Sequence, residues 1–399
     1  MDKVTRRKFL GTASLAAAGT AMGPWVLRAR AQSGPIKIGV VLPYTGVYAV
    51  LGESITQAME LVFARENWTV AGRKIEMIKE DDEMKPPVGV RKTEKLIDSD
   101  KVDILTGPVH SGILMGMRDK VHNSKTILIV SNAGADAISR DRCSRWIFRT
   151  SFSNWQPCQP MGGWVAKNVS KDVFLTAPNY QAGKDMLTGF ERYYKGGIKG
   201  QILFKLTQQD FQAELSQIRA ARPDAVFAFV PGAWGISLFK QFDAAGLRQQ
   251  MKLYTAFSLD ETTLGAIGEA AVGTYVTGFW SHDLDYPQNK KFVEAFKKKF
   301  NYDPSLFAAQ SFDGVYLIDS GVKGVKGDLK NRDGIRAALK KADFPSVRGK
   351  YSYNTNHFPI QNFYKMEVVK DASGKVMLKN RGAVFKDHKD SYAKECKMS

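Results

Sequence analysis

Short apolar runs, each leading into a loop of small side chains and then an amphipathic stretch, recur along this chain and restrict its fold more than any other feature. "IKIGVVLP" (36–43), "KIEMIKEDDE" (74–83), "VDILTGPV" (102–109) and "TILIVSNA" (126–133) alternate with helical patterns over 53–67, 88–100 and 113–124. Strands that are apolar on successive residues are covered on both faces, and strand–loop–helix order makes them parallel. After "WIFRTSFSN" the rhythm restarts. "DVFLTAPNYQAGKDMLTGFERYYK" repeats the opening plan, and "QILFKL", "DAVFAFVPG" and "KLYTAFS" follow, with helices over 211–221 and 235–247 between them. The segments 289–300 and 305–325 read as helical. The stretch 348–379 is rich in β-formers with a turn at Ala372-Ser373-Gly374. With 399 residues, the chain is long enough for two α/β lobes.

In such sheets, ligands bind at the carboxyl ends of the strands. The loops there are 43–52, 106–112, 131–136, 177–183, 230–235 and 256–260. They are rich in Gly, Ser, Asn and Ala, and several hold an aromatic residue. Tyr48, His110, Ser111, Asn132, Ala133, Gly134, Ala135, Tyr180, Gly232, Trp234, Phe257 and Ser258 are the candidate ligand-binding residues. Asn132, Ala133 and Gly134 allow close backbone approach. Ser111 reads either as a hydroxyl donor to a carboxylate at a helix N-terminus or as that helix's N-cap, and the two roles are compatible. Tyr180 and Trp234 offer flat walls.

Catalytic signatures are missing. The five histidines are scattered without zinc spacing, and there is no nucleophile elbow, P-loop or dinucleotide fingerprint. The carboxylates of Glu80, Asp81, Asp82 and Glu83 read as a strand-end turn rather than a metal site. No catalytic residue, metal or cofactor is expected. A hydrolase or dehydrogenase on a related α/β plan is the alternative, as is a ligand-sensing receptor component. The net charge of +18 is spread along helix faces such as "KKFVEAFKKKF", with no nucleic-acid signature, so no nucleic-acid partner is expected.

The N-terminal "TRRKFLGTASLAAAGTAMGPWVLRARAQ" has a basic head, an Ala-rich apolar segment and a small-x-small site at Ala29-Arg30-Ala31. This is the plan of a cleaved export signal over 1–31, with paired arginines as in the twin-arginine class, and it places the mature protein in the periplasm. An oxidising compartment permits a disulfide. Cys143 and Cys158 are the candidate pair, with Cys396 left over; spacing alone does not show that their Cα atoms approach.

The order of "KIGVVLPYTGVYAVLGESITQAMEL", "VDILTGPVHSG", "VSNAGAD", "FRTSFSNWQ", "APNYQAGKDMLTGFE" and "QSFDGVYLI" resembles the leucine-binding type of periplasmic substrate-binding protein of ABC transporters, over nearly the whole mature chain. The resemblance implies a type I periplasmic binding fold: two Rossmann-like lobes, 35–150 with 282–357 and 151–281 with 358–399, joined by a three-segment hinge that closes on ligand. It also implies a small-molecule ligand, an inner-membrane permease as partner and a protein acting as a monomer. Carried over by position, Ser111 and Asn132–Ala135 hold a ligand carboxylate, Tyr180 faces it from the second lobe, and Gly232–Trp234 is another ligand-facing segment. Where amino-acid binders of this type place an acid to pair with the ammonium, this chain has Phe257 or Ser258; Asp260 or Glu261 would serve only in a shifted register. The "SNAGAD" and "FSNWQ" stretches resemble relatives associated with aromatic carboxylates. The expected ligand is thus an amino acid or an aromatic or other organic acid.

Overall fold

The computed structural model describes residues 34–169 and 171–398. The export signal read over 1–31 lies outside them. Within 35–399 the first sheet is built from β1 (Ile36–Leu42), β2 (Thr69–Val70), β3 (Arg73–Asp81), β4 (Ile104–Thr106), β5 (Ile127–Val130) and β6 (Ile147–Arg149). Their spatial order is β2-β3-β1-β4-β5-β6, parallel except for the short β2–β3 pair. Helices α1 (Ala49–Arg65), α2 (Pro86–Asp98) and α3 (Ser111–Ser124) connect them. Ile36, Ile38, Val40, Val41 and Leu42 are wholly buried, as a two-sided strand requires.

The chain then enters the second half through α4 (Trp155–Asn168), β7 (Asp172–Pro178), α5 (Gln181–Tyr193), β8 (Gly197–Phe204), α6 (Gln212–Ala221), β9 (Ala225–Ala228), α7 (Ala233–Ala244), β10 (Lys252–Ala256), α8 (Leu264–Ile267) and β11 (Tyr275–Gly278). It returns to pack α9 (Pro287–Phe300), α10 (Leu306–Gly324) and α11 (Arg332–Lys341) on the first half, α10 lying along α1. A third crossing leads to β12 (Ser352–Tyr353) and the hairpin of β13 (Pro359–Lys370) and β14 (Val376–His388). The second sheet runs β12-β13-β11-β10-β9-β7-β8, with β14 on β13. Its β7–β11 part is parallel, and β13 joins β11 antiparallel.

Both halves begin with the same close approach. A Cβ on Gly52 in the first turn of α1 would lie 2.0 Å from the Pro43 carbonyl oxygen. One on Gly183 in the first turn of α5 would lie 1.9 Å from that of Pro178. Only glycine lets each helix start directly over its strand end. These two units bring the loops at Tyr48 and Tyr180 to face each other.

The disulfide differs from the expected pair. Cys143 bonds Cys396, with Cα atoms 5.7 Å apart, while Cys158 is free and buried inside α4 beside Met186. Cys158 is instead wholly buried in a helix that the sequence pattern did not reveal. The acidic turn is structural. Asp81 accepts N–H bonds from Tyr44 and Glu83, Glu80 pairs with Lys92 and Lys95, and no group suited to a metal occurs among the described residues.

Candidate functional site

A small cavity of about 20 Å³ lies between the two sheets, where the loops at their carboxyl ends meet. Of the sequence candidates, Tyr48, Ser111, Asn132, Gly134, Tyr180 and Phe257 line it. Phe152, Phe229 and Phe307 complete a largely aromatic wall, and Asn154 adds an amide. None of the lining residues carries a formal charge.

Tyr48 enters from the turn before α1 and Tyr180 from the turn before α5. Their hydroxyls are hydrogen-bonded at 2.8 Å across the cleft. Burial raises both phenols well above their ordinary pKa, so both stay protonated. In such a pair one hydroxyl donates to the other, leaving one O–H free to bond elsewhere. Phe257 holds φ at +58°, a strained region for a bulky residue that costs on the order of 1 kcal/mol, and its N–H is pinned to the Thr277 carbonyl at 3.0 Å. Its ring packs 4.1 Å from that of Phe152 and edge-on to Phe307 at 5.3 Å.

The polar end is built on α3. His110, not Ser111, caps this helix: His110 Nδ1 accepts the Gly112 N–H at 3.1 Å, leaving the Ser111 hydroxyl for other partners. Burial lowers the pKa of His110 to about 4, so its imidazole is neutral, and its ring lies 4.5 Å from that of Tyr180. Asn154 Nδ2 donates to Ser111 Oγ at 3.3 Å and to Asp185 Oδ2 at 2.9 Å. Asp185 Oδ2 also accepts the Asp136 N–H at 3.2 Å, and Gln181 Nε2 donates to Oδ1 at 2.8 Å. The Asn132 side chain is held in place, donating to the Val109 carbonyl at 3.3 Å and accepting from Gln310 at 2.7 Å.

The remaining candidates stand beside the cavity rather than on its wall. Ala133 and Ala135 are buried behind the loop, and the Ala135 carbonyl accepts from Arg149 at 2.8 Å. A Cβ on Gly232 would meet the Val47 carbonyl oxygen at 2.3 Å, so this glycine permits contact between the halves. Trp234 packs between Tyr48 and Phe204. Ser258 accepts the Val230 N–H at 2.8 Å and donates to the Ala256 carbonyl at 3.0 Å, fixing two loops together. Asp260 is buried away from the cavity wall, and its burial raises its pKa to about 7. Glu261 pairs with His282 at 2.9 Å. Sequence reasoning missed Phe152, Phe229, Phe307 and Asn154. Asn154 lay within the "FSNWQ" stretch already singled out, whereas Phe307 arrives from a helix far along the chain.

Residues 35–375 match the periplasmic binding protein family. The chain is 26% identical to the Leu/Ile/Val-binding protein homolog 6 of Brucella melitensis, over 85% of this chain and 89% of that one. It is also similar to the solute-binding protein of an ABC transporter from R. palustris in complex with benzoate. That structure is 36% identical with a TM-score of 0.87, over 92% of this chain and all of the other. A solute-binding protein from Rhodopseudomonas palustris BisB5 in complex with 3,4-dihydroxy benzoic acid is 32% identical, with a TM-score of 0.84, over 90% of this chain and 99% of that one.

Proposed function

The chain belongs to the periplasmic binding protein family, and from that premise we propose that it is the receptor for a single-ring aromatic carboxylate, which it delivers to an ABC permease. The carrying observation is the cavity wall, in which aromatic rings surround a few neutral donors and no carboxylate faces the space. An α-amino acid would bury its ammonium there without a counter-charge, a penalty on the order of several kcal/mol. An aromatic acid instead stacks its ring on Phe152, Phe257 and Tyr180. Its carboxylate meets the Ser111 hydroxyl, the start of α3 and the free tyrosine O–H. The complexes of the two Rhodopseudomonas proteins with benzoate and 3,4-dihydroxy benzoic acid support the same class.

The lobes proposed are 35–150 with 282–357 and 151–281 with 358–399, hinged at the three crossings. Ligand closes them, and the closed form docks on the permease as a single copy. The protein leaves its ligand chemically unchanged, has no nucleic-acid partner, and is exported through a twin-arginine-type leader over 1–31.

Thermal-shift titration with benzoate, hydroxybenzoates, phenylpropenoid acids and leucine tests the reading. Ligand at 100 times its dissociation constant stabilises by about 2.7 kcal/mol, a shift of a few degrees. A shift with the benzoates is expected; a shift with leucine alone overturns the proposal.

A further inference from the structure

The hydrogen bonds behind Ser111 carry a further step, which rests on the aromatic-acid reading above. We infer that Asp185 is a positioning residue: it orients the Asn154 carboxamide, which occupies the Ser111 oxygen from across the cleft and leaves its proton to donate to the ligand, so that recognition of an anionic group is tied to lobe closure.

A carboxylate only accepts hydrogen bonds, so the Asn154 nitrogen, not its oxygen, must face Asp185 Oδ2 at 2.9 Å. The second N–H of the same nitrogen reaches Ser111 Oγ at 3.3 Å. A serine oxygen that already accepts there keeps its own proton to give away, and a carboxylate takes that proton in a charge-assisted bond roughly twice as strong as one to a neutral carbonyl. The amide oxygen is fixed in turn. It lies against Gly134, where an added Cβ would come within 2.1 Å of it, and the Asn154 N–H donates to the Gly134 carbonyl at 2.8 Å. One amide therefore sets both the Ser111 hydroxyl and the loop of Gly134.

Asp185 is absent from the cavity wall and acts only through this amide. It stands on α5, whereas Ser111 and the Asp136 N–H that it also accepts belong to the first half. Asn154, at the start of α4, moves with Asp185, since α4 packs on α5. Parting the lobes therefore withdraws Asp185 from Asp136 and the held carboxamide from Ser111 and Gly134, and Ser111 loses its imposed polarity. Several N–H donors converge on Asp185, from Asn154, Asp136 and Gln181, which offsets its own charge near an anionic ligand.

Calorimetric titration of wild type, Asp185→Ala and Asp185→Glu with benzoate and with its neutral isostere benzamide tests the relay. Wild type is expected to prefer benzoate by at least roughly 100-fold, as one charge-assisted contact and one dipole contact together allow. Asp185→Ala is expected to lose about tenfold on benzoate and less than about twofold on benzamide, and Asp185→Glu to recover part of the loss. Equal losses on both ligands, or none, overturn the inference. A second arm needs no ligand: amide exchange over 132–136 is expected to quicken about tenfold in Asp185→Ala, and unchanged exchange overturns the inference. Should wild type bind neither aromatic compound, the aromatic-acid reading falls, while the exchange arm still decides the role of Asp185.

Discussion

Two buried charged networks lie on either side of the crossings, and they are built differently. In the first, Asp313 of α10 accepts from Arg348 Nε at 2.7 Å, Ser346 Oγ at 2.8 Å and the Val347 N–H at 3.0 Å. Arg348 continues to Gln361 at 2.7 Å, and Gln361 reaches the Ser151 carbonyl at 3.1 Å, so the first and third crossings are stitched together. In the second, Asp136 accepts from Ser153 at 2.7 Å and Arg140 at 3.2 Å, while its own N–H goes to Asp185 across the cleft. In the hinge motion proposed above, the Asp313 network lies at the crossings themselves, whereas the Asp136 network includes Asp185, a partner the motion would draw away. A pin is saturated with opposite charge; a surface that parts, as proposed above, would tolerate like charges at close range, since the carboxylates of Asp136 and Asp185 would both gain water on separation.

The contrast can be broken most severely at the pin. Asp313→Ala leaves Arg348 buried without its counter-charge, and denaturant titration is expected to show a loss of about 3–5 kcal/mol. A loss under about 1 kcal/mol would mean the network is not a pin. On the parting side, Tyr180→Ala removes the ring and the hydroxyl bond to Tyr48. Calorimetry is expected to show benzoate affinity falling roughly 30-fold, about 2 kcal/mol, with stability little changed. Unchanged affinity would remove Tyr180 from the site.

The smallest effect concerns protons. Burial first, and the Asp185 charge second, raise Asp136 to about 7 in this arrangement, with Ser153, Arg140 and the Trp155 N–H pulling the other way. The opening proposed above would expose Asp136 and separate it from Asp185, returning its pKa toward 3.8. On that proposal the closed form binds more protons, so closure is favoured at low pH and loses that help as pH rises through about 7. Affinity for benzoate, whose own charge does not change in this range, is expected to be about tenfold higher at pH 6 than at pH 8, on the order of 1 kcal/mol. Asp136→Asn should flatten the difference, and an equally steep profile in that variant would assign the protons elsewhere.

The parallel frame was readable because its strands carry apolar residues on both faces; Ile36–Leu42 and Ile127–Val130 could hardly be anything else. α4 was hidden by its own composition. "WQPCQPMGGWVAKN" holds two prolines and two glycines, and it is helical because Trp155, Met161 and Val165 are buried against its neighbours. Tyr48, Ser111, Asn132, Gly134, Tyr180 and Phe257 were found because they end strands or open helices. Asn154 and Asp185 were not, since their roles exist only through partners in other elements. The Cys143–Cys396 bond, 253 residues apart, lies beyond any local pattern.

That bond has a mechanical meaning. β14 ends at His388 on the second sheet, and Cys396 is fastened beside β6 of the first, with Tyr392 on the way packed against Trp155 and under the Arg140 guanidinium. The last segment is thus a leash outside the three crossings. Residues 388–396 span at most about 29 Å when drawn straight. Any hinged opening of the kind proposed above would be capped by that slack, as a door chain limits a door, and would require Tyr392 to let go first.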